Sequence, residues 1–211
     1  LEGARLTPHA RRTGLRIAAA PMHRLEAALP LLRALVPDAG VAAGPLATGL
    51  EGINLVVHPA LALVNLGWFD RAAAAGERVR FYGEGNTASA AALATALDAE
   101  RAAICAAWDV PHRSLPAMLA ALYGATGEDA LTAVATCPFY RGLAPQDPLL
   151  WRRWLATDVP YGLKPAAALA AARGVPAPLH AGLAAVFDAV LGGTGAPLTL
   201  EGLGIVDGAP T

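Results

Sequence analysis

An imidazole follows a short apolar run in the segment 54–59, which reads Asn-Leu-Val-Val-His-Pro. Pro59 favours the first turn of a helix, so we expect a helix that runs from His58 to about Leu66. An imidazole that is held rigidly at such a helix start is suited to proton transfer near neutral pH. The alternative is a half-buried His58 whose ring nitrogens are satisfied by backbone groups. The spacing alone leaves both interpretations open.

A guanidinium and a carboxylate flank the end of a predicted short helix in the segment 153–162. Arg153 offers a planar fork of N–H groups that fits the carboxylate of a substrate. Asp158, if it lies near a histidine, would fix the tautomer of that histidine and stabilise its imidazolium form. The alternative is an arginine at a helix end and an aspartate that forms a turn, with Pro160 and Gly162 fixing the turns that follow.

A polar loop with two glycines leads into a long predicted helix at 81–89, which reads Phe-Tyr-Gly-Glu-Gly-Asn-Thr-Ala-Ser. The N-terminus of a helix attracts anions through its free N–H groups and its dipole. Thr87 and Ser89 are therefore candidates for binding a substrate carboxylate. Simple capping of the helix by Asn86 or Thr87 explains the same residues equally well.

The sequence lacks the motifs that bind nucleotides or metals through local spacing. Gly202 and Gly204 have no third glycine and lie near the C-terminus, so they do not form a dinucleotide fingerprint. Phosphate-loop, zinc-protease and nucleophile-elbow spacings are absent as well. Two cysteines, Cys105 and Cys137, are too few for a four-ligand metal cluster or a disulfide framework. We therefore expect no metal site.

Composition excludes several classes of protein. Of the 211 residues 55% are hydrophobic and 16% are charged, against about 25% charged in a typical soluble domain. The chain can therefore bury a large core, and its low charge suggests a surface that is covered by another domain or by a partner, as in a homodimer. A net charge of −1 gives no basic excess that would favour binding to nucleic acid.

We see no apolar run of the ~20 residues that a membrane span needs. Without a secretory signal, we expect a cytoplasmic protein.

The first 46 residues resemble a fragment of an α/β domain. An apolar run at 15–20 predicts a strand, helical spacing at 25–36 predicts a helix, and a second apolar run at 41–43 predicts another strand. One strand–helix–strand unit is too small to bury both faces of a parallel sheet. Because the chain also begins at Leu1, we expect it to be a processed product or part of a longer polypeptide.

Residues 47–211 predict an all-helical domain. The longest helix should begin at Asn86 or Thr87 and end near Trp108, because its alanine content and its apolar face favour a helix. Shorter helices fenced by Gly and Pro are predicted near 114–123, 128–137, 148–156, 165–173 and 179–191. The predicted fold class is therefore mainly α, with a helical domain preceded by a short α/β stub.

The polar segments, in this order, resemble those of the octopine/nopaline (opine) dehydrogenase family. The likeness extends from about Leu46 to Val206 and rests on an Asn-x-x-x-His-Pro segment, an aromatic glycine loop, an Asp-x-Glu-Arg stretch and a later Arg-x-Leu-x-x-Asp-Val-Pro-x-Gly-Leu segment. The matching residues are Asn54, His58, Pro59, Phe81, Tyr82, Glu84, Gly85, Thr87, Ser89, Asp98, Glu100, Arg101, Arg153, Leu155, Asp158, Val159, Pro160, Gly162 and Leu163.

The resemblance implies a two-domain enzyme, in which an N-terminal Rossmann domain binds NAD or NADP and a helical domain binds the substrates. It implies the reductive condensation of an amino acid with a 2-oxo acid, whose imine takes a hydride from the nicotinamide. It makes His58 the acid and base, Asp158 the carboxylate that orients His58, and Arg153 a carboxylate anchor. Asn54 and Thr87, within the matching motifs, are further candidates for substrate binding. Residues 1–46 would then be the end of the Rossmann domain.

The glycine turn on which the pyrophosphate of a dinucleotide rests is missing from this sequence. We therefore expect the nucleotide site to lie in a longer polypeptide or in a separate chain. Two other interpretations stay open. One is a non-catalytic helical module for dimerisation or small-acid binding, and the other is a related dehydrogenase that acts on a hydroxy acid. A requirement for an amine substrate would distinguish an opine dehydrogenase from a hydroxy-acid dehydrogenase.

Overall fold

The computed structural model describes residues 12–202, 205, 206, 209 and 210. The described part of the chain is mainly helical, which confirms the predicted fold class, and it contains ten α-helices and two pairs of very short strands. In chain order the elements are β1 (Arg16–Ile17), a 3-10 helix (Met22–Arg24), α1 (Leu25–Leu35), β2 (Gly40–Val41), α2 (Pro45–Leu50), α3 (Asn54–Ala74), α4 (Ala88–Ala107), α5 (Leu115–Tyr123), α6 (Ala130–Thr136), α7 (Pro138–Gly142), α8 (Leu150–Asp158), a π-helical turn (Val159–Leu163), α9 (Lys164–Ala172), α10 (Pro178–Leu191), β3 (Ile205–Val206) and β4 (Ala209–Pro210).

The predicted strand–helix–strand unit is present. β1 and β2 pair in parallel, with Arg16 opposite Gly40, and α1 is the crossover between them. Each strand is two residues long, shorter than the apolar runs that predicted it. A sheet of this size covers little of α1, so Leu31 and Leu35 are 69% and 75% exposed. The first eleven residues of the predicted stub lie outside the described residues.

The α/β unit is bonded to the helical body. The amide of Thr13 donates to the carbonyl of Leu122 at 3.0 Å, and the Thr13 hydroxyl donates to the carbonyl of Ala121 at 2.9 Å, both in α5. Arg16 of β1 forms an ion pair with Glu51, which follows α2. The proposed division into domains at 1–46 and 47–211 stays a prediction, and these contacts cross it.

The central helix of the body, α3, is longer than predicted. It begins at Asn54, so Pro59 is its sixth residue and not part of its first turn. Proline has no N–H to give to the carbonyl of Leu55, which normally weakens a helix interior. Here Val56, Val57 and Ala60 are fully buried, and this packing outweighs the lost hydrogen bond. The structure therefore corrects the predicted start at His58.

The stretch 45–74, which comprises α2 and α3, is long and apolar enough to cross a membrane by length and composition. Our expectation that no segment reaches this criterion was wrong, because α3 extends further in both directions than its proline and its polar flanks predicted. Within this stretch, 61% of the most apolar segment of 18 residues is buried inside the fold. This degree of burial is typical of a helix in a protein core.

A buried ion pair joins three of the helices. Arg101 of α4 is 1% exposed and bonds the Asp98 carboxylate, the carbonyl of Leu50 at the end of α2, and the carbonyl of Arg113. The Asp98 carboxylate also accepts the amide N–H of Leu115, the first residue of α5, at 2.7 Å. Because a buried charge is stable only when it is paired and hydrogen-bonded, this network fixes α2, α4 and α5 relative to one another.

Candidate active site

His58 lies in the second turn of α3 with its ring buried and held by side chains on three sides. Its Nδ1 lies 2.7 Å from Oδ2 of Asp158, and its Nε2 lies 2.7 Å from the hydroxyl of Tyr82. One face of the ring stacks on the indole of Trp154, with centroids 4.7 Å apart and planes inclined by 15°. The two nitrogens are therefore bonded to side chains, not to the backbone groups of the alternative interpretation.

Asp158 is placed by the end of α8 and by the π-helical turn that follows it. Trp154 and Asp158 are four residues apart and so share one face of α8, which they turn toward His58. The π-helical turn packs against α3, where a Cβ on Gly162 would lie 2.5 Å from Cδ2 of Leu55. Gly162 thus permits the close approach that brings the segments 54–59 and 153–162 together. Single π-helical turns are frequent at functional sites.

Tyr82 comes from the glycine loop between α3 and α4. Its ring stacks on Tyr140 of α7 with centroids 3.8 Å apart and planes 4° from parallel. The loop is tight, because a Cβ on Gly85 would lie 2.3 Å from the carbonyl oxygen of Phe81. The carbonyl of Gly85 accepts a hydrogen bond from the buried amide of Asn65 at 2.8 Å. These contacts fix the position of the Tyr82 hydroxyl.

The environment keeps the Tyr82 phenol protonated. Burial raises the pKa of Tyr82 well above its ordinary value, and the negative charge of Asp158 raises that pKa further, with smaller contributions from Tyr123 and Cys137. A group in this state can donate a hydrogen bond at every physiological pH. Tyr82 therefore acts as a neutral hydroxyl and not as a phenolate.

A cavity of about 310 Å³ opens beside His58, Tyr82 and Trp154. Asn54 also lines it, one helical turn before His58 on the same face of α3. Among the described residues that line it, Arg12 is the cation, and its Nε and Nη2 donate to the Tyr123 hydroxyl at 2.9 and 2.7 Å. The cavity wall therefore combines an amide, a guanidinium and the imidazole of His58, which is bonded to Asp158.

The structure brings together His58, Asp158 and Asn54 among the predicted site residues. Arg153 is exposed on α8 and does not line this cavity. It precedes Asp158 by five residues, which at about 100° per residue turns the two side chains about 140° apart. Thr87 caps α4, accepting the N–H of Ala90 at 3.2 Å, and also lies outside the cavity. The substrate-binding roles of Arg153 and Thr87 stay predictions.

Three contributors to the site were not identified from the sequence. Tyr82 and Trp154 each lie inside a motif that we had singled out, so the signal was present, but neither was assigned a role. Arg12 lies in the segment before β1, and no local spacing connects it to His58. Only the packing of this segment on α5 reveals that the guanidinium belongs to the cavity.

The connection from β1 to α1 does not supply a glycine cradle for a dinucleotide. The connection from β1 to α1 reads Ala-Ala-Ala-Pro-Met-His-Arg at 18–24, without the glycines that let a backbone approach a pyrophosphate. Gly204 of the rejected Gly-x-Gly pair lies outside the described residues. Within the described part of the chain, no three His, Cys, Asp or Glu side chains cluster in a way that could hold a metal ion.

Comparison with known proteins identifies the family. The chain belongs to the family described as NAD/NADP octopine/nopaline dehydrogenase, alpha-helical domain, whose model matches residues 41–191. It is similar to the opine dehydrogenase of Arthrobacter sp. (strain 1C), with 32% identity over 187 residues, which are 88% of this chain and 48% of that protein. The chain thus spans about half the length of this relative. The resemblance inferred from the spaced motifs is confirmed.

Proposed function

We propose that this chain is the substrate-binding and catalytic part of an opine-dehydrogenase-like oxidoreductase that joins an amino acid to a 2-oxo acid by reductive condensation. The observation that carries the proposal is that His58, which is bonded to Asp158, lies in the wall of a cavity that Asn54 and Arg12 also line. Membership of the family and likeness to an opine dehydrogenase support the class of reaction.

The condensation needs a group that accepts and returns a proton. Addition of the amine to the oxo carbon leaves a proton to be removed from nitrogen. Loss of water from the resulting carbinolamine needs a proton at the departing oxygen. His58 can serve both steps, because Asp158 holds the Nδ1–H tautomer and balances the charge of the imidazolium. The two steps together leave the histidine in its starting state.

Both substrates of the proposed reaction carry a carboxylate, and Arg12 is the cation that lines the cavity in the described part of the chain. Two of its nitrogens donate to the Tyr123 hydroxyl, and a guanidinium has five N–H groups in a planar fork. N–H groups therefore remain for a carboxylate, which binds a guanidinium more strongly than a phenol does. The exposed amide of Asn54 adds a neutral donor one turn from His58.

The nucleotide, which supplies the hydride, would be bound by another segment. We propose that the remainder of the α/β fold and its glycine turn belong to a longer polypeptide or to a separate chain that packs on α1 and the β1–β2 pair. The exposure of Leu31 and Leu35 supports this packing. Titration of the purified chain with NADH and NADPH, followed by cofactor fluorescence, should show no saturable binding. Saturable binding would contradict the proposed location of the nucleotide site.

The function itself is tested in the complete enzyme by following NADH or NADPH oxidation. Oxidation should require an amino acid and a 2-oxo acid together. His58→Ala should lower the turnover at least tenfold, because a proton-transfer group typically contributes about 10²- to 10⁴-fold. The exposed His23, changed to Ala, is the matched control. Oxidation with the oxo acid alone would instead identify a hydroxy-acid dehydrogenase. An unchanged turnover in His58→Ala would remove His58 from the mechanism.

A further inference from the structure

Neither ring nitrogen of His58 is free to meet a substrate. Nδ1 is engaged by Asp158 and Nε2 by the Tyr82 hydroxyl, each at 2.7 Å. The indole of Trp154 covers one face of the ring. A substrate in the cavity therefore reaches the imidazole through the groups that surround it. Of the two side chains bonded to the ring nitrogens, Tyr82 is the one that lines the cavity.

The direction of each hydrogen bond follows from the partners. Asp158 as a carboxylate can only accept, so Nδ1 carries the proton; in the neutral form of the ring, which is the form that can act as a base, Nε2 is then an acceptor. Tyr82, whose pKa is raised by burial and by Asp158, then donates its O–H to Nε2. The three groups form a chain of aligned hydrogen bonds that runs from the cavity wall to the Asp158 carboxylate.

We infer that the Tyr82 hydroxyl is the group that exchanges a proton with the substrate, and that His58 stores that proton behind it. This inference rests on the proposed function. When the site acts as a base, the O–H proton of Tyr82 moves to Nε2 as the Tyr82 oxygen takes a proton from the substrate nitrogen. Tyr82 ends as a neutral phenol and His58 as an imidazolium beside Asp158. The acid step reverses this: Nε2–H returns its proton to Tyr82 while Tyr82 protonates the departing oxygen.

Relay through a neutral hydroxyl agrees with the environment of Tyr82. A phenolate would be costly here, since the group is buried and faces the negative charge of Asp158. In a relay the hydroxyl gives one proton and gains another, so this anion need not accumulate. The Tyr82 ring is fixed by stacking on Tyr140, independently of its hydroxyl. Removal of the oxygen alone is therefore a clean test.

The first test is Tyr82→Phe in the complete enzyme, with Tyr161→Phe as the control because Tyr161 is 64% exposed. Tyr82→Phe should lower the turnover about 10²-fold, as expected for the loss of a proton-transfer group, and Tyr161→Phe should leave it unchanged. In the same Tyr82→Phe chain, ¹⁵N NMR should show a shifted Nε2 resonance for His58 with Nδ1 still protonated. An unchanged Nε2 resonance would overturn the contact on which the relay depends.

The second test separates a relay from a hydroxyl that only holds the imidazole in place. Fluorinated tyrosines at position 82 keep the hydroxyl and the ring stacking but make the O–H more acidic. A relay predicts that the turnover and its pH profile change progressively with the acidity of the substituted tyrosine. A purely positional role leaves the pH profile where it was, and that result would overturn the relay. If Tyr82→Phe fails to fold, the fluorinated variants still test the relay, because they retain the native contacts.

The outcomes also distinguish this inference from the proposed function. If His58→Ala loses turnover while Tyr82→Phe keeps both its turnover and its pH profile, the relay is wrong and the function stands. If both variants turn over normally, the proton-transfer role of the whole cluster is wrong. Loss of turnover in both, together with a response to the fluorinated tyrosines, is the result that we expect.

Discussion

His58 takes its orientation from side chains that are remote in sequence. Asp158 lies 100 residues away and Tyr82 lies 24 residues away, yet each contacts one nitrogen of the same ring. Such a ring can rotate only by breaking two hydrogen bonds and a stacking contact with Trp154. The chemistry of the histidine therefore depends on each partner separately, and the contribution of each can be measured.

The contribution of Asp158 is tested by Asp158→Asn. The amide keeps the size of the side chain but loses its negative charge, and it can present an N–H to Nδ1, which would reverse the tautomer of His58. We expect the turnover to fall by about 10²-fold or more with little change in the unfolding temperature. Asp70→Asn, an exposed position on α3, provides the control. Equal turnover in the two variants would show that Asp158 does not act on His58 during the reaction.

Among the structural elements, the loop between α3 and α4 has the tightest backbone near the site. Gly85 lies against the carbonyl of Phe81, and Asn65 of α3 bonds the carbonyl of Gly85 and that of Leu61. The loop then ends at Thr87, which caps α4. The buried hydrogen bonds of Asn65 therefore hold the loop, and with it Tyr82, at a fixed position relative to α3.

Gly85→Ala should therefore both destabilise the protein and displace Tyr82. The added Cβ would lie 2.3 Å from a backbone oxygen, so the loop must shift, at a cost of about 1–3 kcal/mol in the free energy of unfolding. Gly182→Ala in α10 is the control: its Cβ meets no atom within 4 Å, and alanine favours a helix over glycine by roughly 0.5–1 kcal/mol. Urea unfolding measures both changes, and a Gly85→Ala protein as stable as the wild type would contradict the close approach.

The elements that the sequence predicted well are those with local signals. The expected cap at Asn86 or Thr87, the alanine content and the apolar face predicted α4 almost to the residue. The start of α3 was misplaced because burial of its residues around Pro59 outweighs the effect of the proline. The π-helical turn after Asp158 has no local signature that we recognised. The pairing of His58 with Asp158 was expected only from the family resemblance, since spacing along the chain does not report a contact across 100 residues.

At the scale of the whole molecule, a buried histidine links α10 to α4. His180 is fully buried, and its Nδ1 lies 2.8 Å from Oε2 of Glu100. The Glu100 carboxylate also accepts the amide N–H groups of Leu179 and His180 at the start of α10. Burial lowers the pKa of His180 below its ordinary value of 6.5, although the carboxylate of Glu100 acts in the opposite direction. The folded protein therefore resists protonation of this ring.

The lowered pKa of His180 predicts how stability depends on pH. As the pH falls below about 6.5, the unfolded chain takes up a proton on this histidine before the folded protein does. The free energy of unfolding should thus decrease, by at most about 1.4 kcal/mol per pH unit from one group. His180→Gln should flatten the dependence between pH 7 and pH 5, and His23→Gln, at an exposed position, should not. Parallel curves for wild type and His180→Gln in urea titrations would refute the assignment.

The guanidinium and the imidazole that face one cavity belong to different parts of the molecule. Arg12 precedes the parallel strands, and its neighbour Thr13 is hydrogen-bonded to α5, whereas His58 is a residue of α3. An acid bound between Arg12 and the Tyr82 hydroxyl that covers His58 would link the α/β unit to the helical body. Binding of a ligand in the cavity should then slow the hydrogen exchange of the amides at 13–17, although these residues take no part in proton transfer. A substitution that weakens the contacts between the α/β unit and the helical body, such as the hydrogen bonds of Thr13, would then also lower the affinity for the ligand.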